Sequence, residues 1–115
     1  MVVRAIVVGG CLALAAPVLA QDAAAVSKGK QVYDSAAPKC KVCHSVAGEG
    51  NAKGSLDGMG AKLKAEEVAA WLRTPKEMAA KAKAARKPEM PAYTKEKISD
   101  GDLEALTAYI LSLKK

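Results

Sequence analysis

Within 115 residues, the stretch Cys40-Lys41-Val42-Cys43-His44 holds the only histidine and two of the three cysteines. No other feature constrains the chain as strongly. Four chemistries compete for it. A structural zinc site needs four ligands, usually Cys or His, and beyond residue 20 the chain offers only these three. A thioredoxin-like redox pair uses the same cysteine spacing but sits beside βαβ patterning, whereas here Val and Ile are scattered and alanine dominates. A plain disulfide would join Cys40 to Cys43 and leave the adjacent His44 without a role. Covalent haem attachment employs all three residues. Two cysteines three apart share one face of a helical turn, so both sulfurs reach the vinyl groups along one porphyrin edge, and the next residue offers its imidazole to the iron.

The composition suits such a group. Residues 1–20, MVVRAIVVGGCLALAAPVLA, carry one arginine, then an apolar run, then Val18-Leu19-Ala20 before the polar Gln21-Asp22. That is the order of a secretory signal peptide. The run from Ala5 to Ala16 falls short of the roughly 20 residues that span a bilayer. We therefore expect a signal peptide at 1–20, one domain at 21–115, a periplasmic product and no transmembrane segment in the mature chain. Lipid attachment at Cys11 is the alternative, and it would change only the tethering. Removing the leader takes Arg4 and no acidic residue, leaving 17 Lys and Arg against 12 Asp and Glu, a net charge of +5. With 3% aromatic residues and no Phe, side chains alone would make a thin core for so small a domain. A large apolar cofactor at the centre would fill it.

From about Ala23 to Leu113 the chain resembles a small class I cytochrome c, the bacterial monohaem c-type cytochrome. The resemblance implies an all-α cytochrome c fold, with about four helices and loops wrapped around one covalently attached haem c. Val26 to Ser35 reads as a first helix ended by Pro38. Ser99 caps a last helix whose apolar stripe is Leu103, Leu106, Ile110 and Leu113. Gly29 with Tyr33, and Leu106 with Tyr109, match the family's crossing of first and last helices. Lys64 to Leu72 reads as another helix, stopped by Pro75, with Val68, Trp71 and Leu72 facing inward. The family's aromatic at the corresponding position makes Trp71 a candidate contact for a haem propionate, with Arg73 as a second candidate. One departure stands out. The family commonly has Gly-Pro after the haem histidine, near a carbonyl that orients the imidazole, and here the residues are Lys53-Gly54-Ser55-Leu56.

An electron-carrying iron normally holds six ligands, and a chain with one histidine cannot supply a second imidazole. Methionine is the usual partner, and it raises the reduction potential. Met1 leaves with the leader. Met59 lies in a glycine-rich loop that in the family passes beneath the ring on the histidine side, and Met78 reads as part of a short helix after Pro75. Met90, between Pro88 and Pro91, sits on a stiff extended segment suited to hold a side chain against iron. The run Met90-Pro91-Ala92-Tyr93 also resembles the distal loop of small bacterial cytochromes. The expected site therefore has Cys40 and Cys43 as covalent anchors and His44 and Met90 as axial ligands of the iron. The expected function is that of a soluble periplasmic carrier of single electrons, not an enzyme. The alternatives are a haem-based ligand sensor or weak peroxidase with a labile methionine, and an electron-transfer subunit of a larger respiratory complex. Lys76, Lys81, Lys83, Arg86 and Lys87 lead into the Met90 segment, where they would draw acidic or membrane-bound redox partners, or else coat a solvated helix. No aromatic-basic alternation points to nucleic acid.

Overall fold

The first helix, α1 (Val18–Ser35), starts eight residues before the predicted Val26. Alanine has the highest helix propensity of any residue, so Ala23, Ala24 and Ala25 extend the helix beyond its buried face, and the first two of them are exposed. The computed structural model describes residues 9–10, 18–84 and 86–115, with side chains from residue 23 onward in α1; the predicted leader, with Met1 and Cys11, lies mostly outside these residues.

α1 crosses the last helix, α5 (Asp100–Ser112), at Gly29. A Cβ on Gly29 would overlap the Ala105 carbonyl and stand 2.6 Å from Tyr109 Cβ. Glycine is what lets the two backbones meet. One turn on, Tyr33 packs on Tyr109 with ring centroids 5.6 Å apart and planes tilted by 57°, an edge-to-face type of pairing that adds to simple burial. As expected, Ser99 caps α5: its hydroxyl accepts from the Asp102 N–H at 3.2 Å. Asp100 and Asp102 complement the positive end of the helix.

Between these two helices lie α2 (Met59–Lys62), α3 (Ala65–Arg73) and α4 (Pro75–Ala82). The single turn α2 makes five α-helices among the described residues, where the sequence suggested about four. The Glu67 carboxylate accepts from the Lys64 N–H at 3.1 Å and so secures the start of α3. Pro75 opens α4 at a position where a missing N–H removes no helical bond. A short antiparallel pair, β1 (Ser45–Val46) with β2 (Glu49–Gly50), sets Ser45 opposite Gly50. The core gathers Tyr33 from α1, Val68 and Leu72 from α3, and Leu106 and Ile110 from α5 around Ile98, which is only 1% exposed. No described helix is long and apolar enough to cross a membrane.

Candidate functional site

A single 3-10 turn, Cys40–Val42, brings the two cysteines and His44 together. The His44 N–H closes it on the Cys40 carbonyl at 2.8 Å. Both thiols are free. Cys40 is buried, and burial pushes its thiol above the ordinary value.

His44 is half-buried, and its Nδ1 lies 2.9 Å from the Gly54 carbonyl oxygen. A carbonyl only accepts, so Nδ1 carries the proton and Nε2 is the ring nitrogen left with a free lone pair. Burial holds the imidazole below its ordinary pKa; the Gly54 contact opposes this and the positive charge of Arg86 reinforces it. The acceptor that orients the histidine, unreadable from a sequence lacking Gly-Pro, is thus Gly54. It closes a 3-10 turn, Ala52–Gly54, which Asn51 caps by accepting from the Lys53 N–H at 3.0 Å. The Asn51 amide also donates to the Val42 carbonyl at 3.2 Å, fastening this loop to the cysteine turn.

Met90 comes from an extended segment held at Tyr93. The Tyr93 N–H donates to the Leu72 carbonyl at 2.8 Å, its hydroxyl donates to the Pro38 carbonyl at 2.6 Å, and Arg73 Nη1 donates to the Tyr93 carbonyl at 2.9 Å. Arg73 also reaches the Ile98 carbonyl at 2.7 Å and Asp100 at 3.0 Å. Arg73, the second propionate candidate, is not on the wall of the cavity described next, and its guanidinium clasps the backbone leading into α5.

The structure brings Cys40, Cys43, His44, Trp71 and Met90 to the wall of one cavity of about 760 Å³, within the roughly 300–1,000 Å³ usual for a bound cofactor. Met59 shares that wall and Met78 does not. Aliphatic side chains from α3 and α5 complete it. Of the predicted rim cations, Lys76, Arg86 and Lys87 border the cavity, together with Lys39 and Lys53; Lys81 and Lys83 lie off it.

A sequence model of the cytochrome c family matches residues 26–114, more than three quarters of the chain. The chain belongs to the cytochrome c family. No curated protein and no solved structure matches it. As a cytochrome c the protein takes covalently attached haem c with its iron, works in haem-based electron transfer and has redox proteins as partners. The residues of this cytochrome fit that group: two free thiols, an imidazole with Nε2 unprotonated and a thioether share an apolar cavity. Tyr33 lines the same cavity at 2% exposure, and its hydroxyl has no hydrogen-bond partner among the described residues. Buried hydroxyls are rarely left unpaired, so a polar edge of a bound group is what this wall lacks. Sequence reasoning assigned Tyr33 only to the helix crossing, since nothing local marks a tyrosine as facing a cavity.

Proposed function

We propose that this cytochrome is a periplasmic carrier of single electrons in which Cys40 and Cys43 hold the haem by thioether bonds while His44 and Met90 ligate the iron. When bound, the haem supplies a one-electron ferric/ferrous couple. The chain contributes position, burial and charge. His44 through Nε2 and Met90 through its thioether would hold the iron between them, which would leave no position for a substrate and would favour outer-sphere electron transfer. The reading rests above all on one observation: the imidazole whose Nδ1 is committed to Gly54 and the proline-flanked Met90 line the same cavity as both free thiols.

Partners are met at the cavity mouth. Lys39, Lys53, Lys76, Arg86 and Lys87 border it, and Val42, 67% exposed between the two cysteines, supplies an apolar centre. A positive rim of this kind speeds encounter with an acidic redox protein, and such complexes are small and short-lived. Export is supported by the charged, apolar and small-residue order of residues 1–20.

The ferric absorption spectrum tests the ligand set. A red-region methionine-to-iron charge-transfer band is expected, and Met90→Ala should abolish it and lower the reduction potential while haem stays attached. A band that survives in Met90→Ala transfers the role to Met59, the other methionine on the wall. High-spin features and ready carbon monoxide binding in the unsubstituted protein would instead favour a ligand sensor or weak peroxidase. Mass spectrometry of the exported product should read a cut after Ala20 and one added haem together.

A further inference from the structure

Arg86 looks, from the sequence, like one more surface cation before Met90. Its contacts are more specific. Nη2 donates to the Cys43 carbonyl at 2.6 Å, across 43 positions of chain. The same guanidinium lies against Gly54, where a Cβ would overlap Nη1 and the Cys43 carbonyl oxygen and stand 2.9 Å from Cζ. Gly54 is the residue whose carbonyl accepts from His44 Nδ1. The peptide immediately before the histidine and the residue that orients its ring are therefore both covered by one side chain. That side chain enters from the segment that bears Met90.

Met90 lies four residues after Arg86 and three before Tyr93. Tyr93 is fixed to Pro38, Leu72 and Arg73. With Arg86 tied to Cys43, both ends of the segment are fastened to residues flanking or within the cysteine turn. A short segment held at both ends has few conformations in which its central side chain swings away. We propose that Arg86 is a positioning residue that locks the layer of Cys43 and Gly54 orienting the His44 imidazole and, through it, keeps the Met90 segment closed. The second half rests on Met90 being the distal ligand. The first half does not. Covering two backbone groups at once requires a fork with fixed geometry. Lysine has the charge but presents it as a mobile point, with no planar group to lie over Gly54.

The experiment uses the haem-loaded protein and the variants Arg86→Met and Arg86→Lys. Solvent exchange of the His44 Nδ1 proton, followed by NMR in the ferrous state, reads the histidine side. The rate of carbon monoxide binding to the ferrous protein reads closure of the Met90 segment. Loss of one charged hydrogen bond should speed both processes about tenfold in Arg86→Met, with covalent haem retained, and Arg86→Lys should recover only part of each change. Unchanged exchange in Arg86→Met, or full recovery in Arg86→Lys, overturns the proposal and leaves Arg86 as rim charge alone. If Arg86→Met does not accumulate, exchange in Arg86→Lys decides by itself, wild-type exchange overturning the proposal. Fast carbon monoxide binding in the unsubstituted protein would remove Met90 as ligand, and the exchange measurement would still decide whether Arg86 holds the histidine side.

Discussion

Tyr93 shows how much of the site depends on single hydrogen bonds that carry no haem chemistry. Its hydroxyl spans 55 positions to reach the Pro38 carbonyl, two residues before Cys40, and burial pushes its pKa, like that of Tyr33, up to about 12 from the ordinary 10.0. Because the unfolded chain gives up these protons near pH 10 and the folded chain only near 12, the contribution of both phenols is complete below pH 10 and is lost as pH rises through about 12. Tyr93→Phe should cost about 1 kcal/mol at neutral pH, the usual worth of such a bond, and should make the alkaline loss of stability less steep. Denaturant unfolding at pH 7 and at pH 11 measures both, and a Tyr93→Phe curve that parallels the unsubstituted protein between those pH values would refute the assignment of the shift. At this scale the sequence was readable where a side chain advertises its own chemistry. Cys40, Cys43, His44 and Met90 are thiols, an imidazole and a thioether in telling positions, and all four line one cavity. Gly54 was not readable, because what it contributes is a backbone carbonyl, which every residue has. The contact of Arg86 joins segments 43 positions apart, and no local pattern encodes it.

The elements were legible to the extent that burial imposes a period or a cap. α5 runs from a serine cap to its apolar stripe, with Leu106 and Ile110 buried as read, and α3 begins one residue after the predicted Lys64 and ends one after Leu72. The early start of α1 was missed because exposed alanines make helix without any apolar period, and α2 because a single turn has no period to detect. The contacts of Arg73 were unreadable for a related reason: its place at the end of α3 was clear, but the carbonyls of Tyr93 and Ile98 that it binds come from a later loop. The crossing of α1 and α5 yields a prediction with a definite sign. Gly29→Ala gains about 1 kcal/mol in helix propensity, yet the added methyl meets rigid backbone at Ala105 and the root of Tyr109, and overpacking of that kind costs about 1–3 kcal/mol. Ala105 is on a helix capped at its start by Ser99 and held at its end by the Gly60 N–H on the Leu113 carbonyl at 2.8 Å, so it cannot yield cheaply. Gly29→Ala should therefore lower the melting temperature while leaving the haem spectrum intact. A variant that melts higher than the unsubstituted cytochrome would show that the helices separate freely at this point.

For the molecule as a whole, the cavity is as consequential as the core beside it. The cavity of about 760 Å³ is lined by apolar side chains from α3 and α5 that would otherwise belong to the core, and burying such a wall against an apolar group is favourable in proportion to the area it removes from water. A chain with 3% aromatic residues and no Phe has no large side chains with which to collapse the space. The fold should therefore depend on the haem, and the chain without it should not keep this structure. Preparing the Cys40→Ser/Cys43→Ser double variant free of haem tests this, with far-UV circular dichroism and hydrogen exchange as readouts. Helix content should fall, thermal unfolding should lose its cooperative step, and amides in α3 and in residues 86–93 should exchange freely. Residual protection is expected only in α1 and α5, because their contact at Gly29 and the Tyr33–Tyr109 pair bury surface against each other. A haem-free chain that unfolds cooperatively, with the helix content of the loaded protein, would mean that side chains alone can close a space of this size, and the reading of the cavity as the organising centre of the fold would fail with it.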